Sequence, residues 1–143
     1  MKDFLVYTAG PIRSYNPDQE VAVEEVRRNL RRAREVAKEL WVEGVSVICP
    51  HANTDLDRDI DMPPNGYQDE ADWIGGDLVQ IIRCDAILML PGWENSSGAK
   101  EELCCAARAG LKIFFDVHAL LAYISPLPDL TKETLMRGPE DDV

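Results

Sequence analysis

The sequence predicts an α/β domain whose parallel sheet carries helices on both faces. Short, continuously apolar runs alternate along the chain with amphipathic stretches of helical period. The runs lack the polar alternation of a strand with one wet face, so they read as strands covered on both sides. From Cys84 to Gly110 a strand, a small-residue turn and a helix start follow one another directly, in CDAILMLPGWENSSGAKEELCCAARAG.

Phe4 to Thr8 is the first strand, stopped by Ala9-Gly10-Pro11. Asn16-Pro17-Asp18 supplies a helix start. Val23, Val26, Leu30, Ala33, Ala37, Leu40 and Trp41 then recur at helical spacing, and Gly44 ends the helix. Its other face holds Arg27, Arg28, Arg31, Arg32, Arg34 and Lys38, interleaved with Glu20, Glu24, Glu25, Glu35 and Glu39, which reads as a solvated face laced with ion pairs. Val45 to Cys49 is a second strand. The long polar stretch from Pro50 to Gln68, which holds Pro63-Pro64-Asn65-Gly66, reads as a lid or binding loop. Asp69 to Arg83 reads as a helix, Asp85 to Leu90 as the third strand, Gly98 to Ala109 as a helix capped by Gly110, and Leu111 to Phe115 as the fourth strand. His118 to Tyr123 makes one more short helix. Residues 1–124 form the single domain, and 125–143 are a tail, weakly structured or packed on a neighbour.

Right-handed crossovers bring every strand-to-helix loop to one end of such a sheet. Tyr7–Pro11, Pro50–Thr54 and Pro91–Gly98 therefore meet at one crevice.

Size and composition bound the function. A chain of 143 residues, 45% hydrophobic and 29% charged, suffices for one core. A formal net charge of −11 disfavours nucleic acid and anionic membrane as partners. No apolar run approaches the roughly 20 residues of a membrane span, and MKDFLVYTAG enters a strand directly, so a cytoplasmic protein is expected. Cys49, Cys84, Cys104 and Cys105 form no C-x-x-C pair; they read as reduced thiols, and no metal or cofactor is assigned.

The chemistry-bearing residues cluster around the predicted crevice. Glu102 shares a helix stripe with Ala99 and Ala106 and should lean toward the sheet, whereas Glu101 aligns with Cys105 and Arg108, toward solvent. The expected core face of that helix is Ala99, Leu103, Ala106, Ala107 and Gly110. Asp69, Asp72 and Asp77 are possible acidic partners for Glu102; Asp77 follows Gly75-Gly76, where a neighbour or ligand can approach closely. Ser96, Ser97 and the amides of Gly98 and Ala99 form a helix N-terminus able to cap itself and to receive an anion. Trp93 can stack on a base or fold over its loop. His51, at a strand's carboxyl end, can contact a base or make a structural hydrogen bond.

These pieces resemble the nucleoside 2-deoxyribosyltransferase superfamily, including its relatives that hydrolyse nucleoside 5′-monophosphates. The likeness runs from about Phe4 to Phe115. It rests on Tyr7-Thr8-Ala9-Gly10-Pro11-Ile12, on Asp77 eight residues before Asp85, and on Gly98-x-x-x-Glu102 with Gly110 beyond. The chain is most like a subgroup of small bacterial and phage proteins sharing Gly-Trp-x-x-Ser-x-Gly-Ala-x-x-Glu, here Gly92 to Glu102.

The resemblance implies a flavodoxin-like, Rossmann-like fold and catalysis by Glu102, Asp77 and Tyr7. In that reading Glu102 is the nucleophile, Asp77 holds or protonates the leaving base or binds the sugar, and Tyr7 orients the sugar or Glu102. Ala9, Gly10, Pro11, Ile12, Arg13, His51, Trp93, Ser96, Ser97, Gly98 and Ala99 are the candidate substrate-binding residues. Ser96 stands where nucleoside-transferring members carry an aspartate, which favours hydrolysis of a (deoxy)nucleoside 5′-monophosphate over base exchange. A non-catalytic nucleotide-sensing module is the rival from another class. The expected partners are a small-molecule nucleotide or nucleoside and, by resemblance, a second copy in a homodimer or higher homo-oligomer.

Overall fold

Every strand of the sheet is parallel. The structure is a computed structural model that describes residues 1–53 and 70–137. In chain order its elements are β1 (Leu5–Ala9), α1 (Gln19–Val42), β2 (Ser46–Ile48), α2 (Pro50–Asn53), α3 (Glu70–Ile81), β3 (Ala86–Met89), a 3-10 turn (Trp93–Asn95), α4 (Ser97–Arg108), β4 (Lys112–Phe114), α5 (Val117–Ile124) and α6 (Lys132–Met136). The sheet order is β2-β1-β3-β4. Tyr7 pairs in register with Ile48 of β2 and Ile87 of β3, and Ala9 with Met89. This is the expected flavodoxin-like α/β fold, and its strand order reverses between β1 and β3. A crevice opens at the carboxyl ends of strands at such a point.

Alternate residues of β1 serve opposite faces. Val6, Ala86 and Leu88 pack with Ala33, Ala37 and Leu40 of α1 and with Leu120 and Ile124 of α5. Tyr7, Ala9, Ile87 and Met89 pack instead with Ile81 of α3 and with Ala99 and Ala106 of α4. Glu102 and Tyr7 therefore share one face, and α1 lies behind the sheet.

Asp18 caps α1, its Oδ1 accepting from the amides of Glu20 (3.0 Å) and Val21 (3.2 Å). The buried stripe of α1 is Leu30, Ala33, Ala37 and Leu40. Val23 and Trp41, expected on it, are exposed instead; Val23 precedes the buried stripe, and Trp41 lies about 100° around the helix from the buried Leu40. The ion-pair lacing expected along α1 closes, among the described residues, at Arg27–Glu24 (3.1 Å).

The stretch from Pro50 begins as a short helix, and the remainder of the expected lid, 54–68, lies outside the described residues together with Asp69. The tail shows more structure than expected. Lys2 and Asp129 form an antiparallel bridge and an ion pair at 3.4 Å, and Thr131 caps α6 through the amide of Thr134. Two capped or paired positions suffice to order this segment against the chain's own N-terminus. Among the described residues, no helix is long and apolar enough to cross a membrane.

Candidate active site

Glu102 faces inward. Its helix begins one turn-position earlier than the spacing suggests, because Ser96 is the cap and Ser97 the first helical residue. Glu102 thus sits in the second turn, where its carboxylate does not answer the free amides of the helix end. Ala99, Glu102 and Ala106 form the buried stripe, with Glu102 8% exposed. Glu101 is exposed, as expected. Ala107 and Gly110 are exposed too, which corrects the wider face read from the sequence. The stripe is narrow because Ala107 lies roughly 100° around the helix from Ala106.

The partner that Glu102 finds is Tyr7. The phenol of this fully buried tyrosine donates a hydrogen bond to Glu102 Oε2. Asp77, half-buried on α3, lies close enough for its charge to act on both the Tyr7 phenol and Glu102. Groups from β1, α3 and α4 thereby come within electrostatic reach of one another.

Burial sets the electrostatics of the cluster. Loss of water pushes Glu102 up to about 8; the Tyr7 hydrogen bond opposes this rise, and the charges of Asp77 and Glu101 add to it. Burial likewise raises Asp77 to about 6, again opposed by Tyr7. The Tyr7 phenol is held well above its ordinary range, first by burial and then by the two neighbouring carboxylates. Between about 6 and about 8 the two acids together carry one proton and one negative charge. Such a pair can give a proton and supply a carboxylate in the same event.

The other predicted residues fall around this centre in different ways. Ser96 Oγ accepts from the Ala99 amide at 3.2 Å, so Ser96 is a cap and the Ala99 amide is engaged by it. The amides of Ser97 and Gly98 have no partner among the described residues, and Ser97 is exposed. Trp93 folds over its loop, in the apolar cluster of Tyr7 and Ala99, with its ring 5.6 Å from that of Phe115. Gly75 and Gly76 are exposed, and a Cβ on either would meet nothing among the described residues. Asp85, part of the spacing motif, is structural: its Oδ2 accepts from the Leu5 amide at 2.8 Å.

Ala9 and Gly10 are buried at the end of β1, Pro11 and Ile12 are half-buried, and Arg13 is exposed. A Cβ on Gly10 would lie 2.8 Å from Leu90 Cβ, which is why only glycine lets this loop pass the end of β3. Gly92 adopts φ +88, a left-handed conformation that lets the chain turn from β3 into the Trp93 loop.

His51 sits behind the loop, 1% exposed, with Nε2 3.2 Å from the Pro11 carbonyl oxygen. A carbonyl only accepts, so Nε2 carries the proton. Burial holds the imidazole below its ordinary pKa, and it stays neutral. Nδ1 and Thr8 Oγ1 are buried without a hydrogen-bond partner among the described residues. Asn29 escaped the sequence reading; its Nδ2 donates to the Ile12 carbonyl at 3.3 Å from within the charged run of α1.

Among the described residues no three potential ligands gather as a metal site, and the four thiols are free. Cys84 is pushed up to about 11, chiefly by burial, which leaves it unreactive at neutral pH. No curated protein matches the chain. Residues 4–115 match the family model described as "Domain of unknown function (DUF4406)", and the chain belongs to that family.

Proposed function

We propose that the protein hydrolyses the N-glycosidic bond of a (deoxy)nucleoside 5′-monophosphate through Glu102. The observation that carries this reading is the buried Glu102 carboxyl, hydrogen-bonded to the Tyr7 phenol and within electrostatic reach of Asp77, in a sheet whose strand order reverses between β1 and β3. A lone semi-buried acid would be a structural liability; two neighbouring acids that share one proton are suited to acid-assisted substitution at an anomeric carbon.

In the proposed first step a carboxylate oxygen of Glu102 bonds to C1′ while the C1′–N bond breaks. The bonding pair leaves with the base, which takes a proton from Asp77. A water then attacks C1′ and gives its proton to Asp77, and the ester bond to Glu102 breaks, restoring the carboxylate. Tyr7 prepares the nucleophile: its hydroxyl donates to the Glu102 carboxyl and favours the charged form needed for attack. The amides of Ser97 and Gly98, at a helix N-terminus, suit the 5′-phosphate. The resemblance of Tyr7–Ile12, Asp77 and Gly98–Glu102 to the nucleoside 2-deoxyribosyltransferase superfamily supports the same reaction class.

The test is release of free base, followed by chromatography, from each common nucleoside and deoxynucleoside 5′-monophosphate. Release by the wild type and none by Glu102→Gln is the expected result. Incorporation of an added second base would redirect the reading to base exchange. Tight nucleotide binding with no base released by either protein would replace it with a sensing module.

A further inference from the structure

We infer that Asn29 and His51 are positioning residues that clamp the Gly10–Arg13 loop from behind and so aim its backbone amides into the crevice. This rests on the proposed nucleotide site, because the loop is where that site would receive substrate oxygens.

The argument is peptide geometry. In a trans peptide the carbonyl of one residue and the N–H of the next point in opposite directions, and the described chain has no cis bond. His51 Nε2 draws the Pro11 carbonyl toward the α1 side of the sheet, and Asn29 Nδ2 draws the Ile12 carbonyl the same way. Pro11, Asn29, Arg32, His51, Leu90 and Pro91 enclose this rear space together. The N–H groups of Ile12 and Arg13 are therefore turned away from α1. The Ile12 amide has no partner among the described residues, so it remains available to an acceptor on a ligand. Pro11 itself has no N–H to offer, which leaves its carbonyl as the natural handle for the clamp.

His51 suits the task because it is neutral and has one defined donor. A protonated imidazole would gain a second donor facing the unpartnered side, and burial disfavours that form. On this reading His51 acts through Pro11 and does not touch the substrate.

The test uses the full chain with Asn29→Ala, His51→Gln and His51→Asn. A glutamine amide reaches about where Nε2 lies, whereas an asparagine amide reaches only about to Nδ1. In the ligand-free protein, 15N order parameters of Ile12 and Arg13 should be about 0.85 in wild type and in His51→Gln, and below about 0.6 in Asn29→Ala and His51→Asn. With a nucleoside monophosphate, the two loosened variants should raise KM about 3–10-fold with kcat within about twofold, and His51→Gln should keep wild-type KM within about twofold. Unchanged order parameters in Asn29→Ala, or equal loosening by His51→Gln and His51→Asn, would overturn the clamp. The relaxation arm needs no substrate, so it decides the clamp even if no nucleotide is turned over, an outcome that would count against the proposed function alone.

Discussion

Tyr7 and Glu102, 95 positions apart in sequence, share a buried hydrogen bond that ties the central strand to the second turn of α4. The bond does more than satisfy two polar groups. It stabilises the charged form of an acid that burial and the nearby charge of Asp77 otherwise keep protonated.

The activity should follow a bell-shaped pH profile. One limb falls where the pair takes up its second proton, near about 6, and the other where it loses its last, near about 8. Base release measured across this range should peak between the limbs. Glu102→Gln should lower kcat by at least about 10³-fold, as removal of a nucleophile does. Steady activity far above the upper limb would show that no proton of this pair is needed.

Tyr7→Phe removes the donor and leaves the ring. Because the hydrogen bond lowers Glu102, its loss should move the upper limb further up in pH. A decrease in kcat of about 10–100-fold is expected, with a loss of about 1–2 kcal/mol in stability from the unpaired buried carboxyl. An unmoved upper limb would mean that the phenol does not govern the titration.

Stability should report the same chemistry with the opposite sign from an ordinary paired carboxylate. The folded Glu102 keeps its proton up to about 8, whereas the unfolded chain loses it near the ordinary value of 4.5. In that window the unfolded state binds fewer protons, so stability is highest below it and falls as pH rises. Glu102→Gln cannot titrate and escapes the decline. Measured from about pH 6.5 to about pH 9, above the rise of Asp77, its Tm should gain roughly 3–8 °C on wild type, on the order of 1–2 kcal/mol. A constant Tm difference would show that Glu102 is not a buried acid.

Much of this was readable in the sequence, for physical reasons that also mark where reading stops. The inward aim of Glu102 followed from its spacing to Ala99 and Ala106, a local pattern that the helix must obey. Asn29 carried no such signal. It lies among six basic residues on a helix face that reads as solvated, and its function comes from a carbonyl 17 positions away that only the chain's return path brings near. The same holds for His51 and Pro11, 40 positions apart, where a contact or a structural bond were equally consistent with the sequence. Long-range pairings of side chain with backbone leave no period to detect.

The start of α4 offers the sharpest separation of cap from anion site. Ser96 spends its hydroxyl on the Ala99 amide, so Ser96→Ala should cost about 1 kcal/mol of stability and leave the KM for nucleotide and nucleoside in the same ratio. Ser97 makes no such bond and is exposed beside the free amides of its own turn. A carboxylate placed there by Ser97→Asp would favour the helix end, since acidic residues suit a first turn, so the fold should be unharmed or slightly stabilised. The same charge would repel a phosphate held by those amides. KM should therefore rise about tenfold or more for a 5′-monophosphate and less than about twofold for the matching nucleoside. Equal changes for the two substrates would move the phosphate away from α4 and leave the helix end with capping as its whole role.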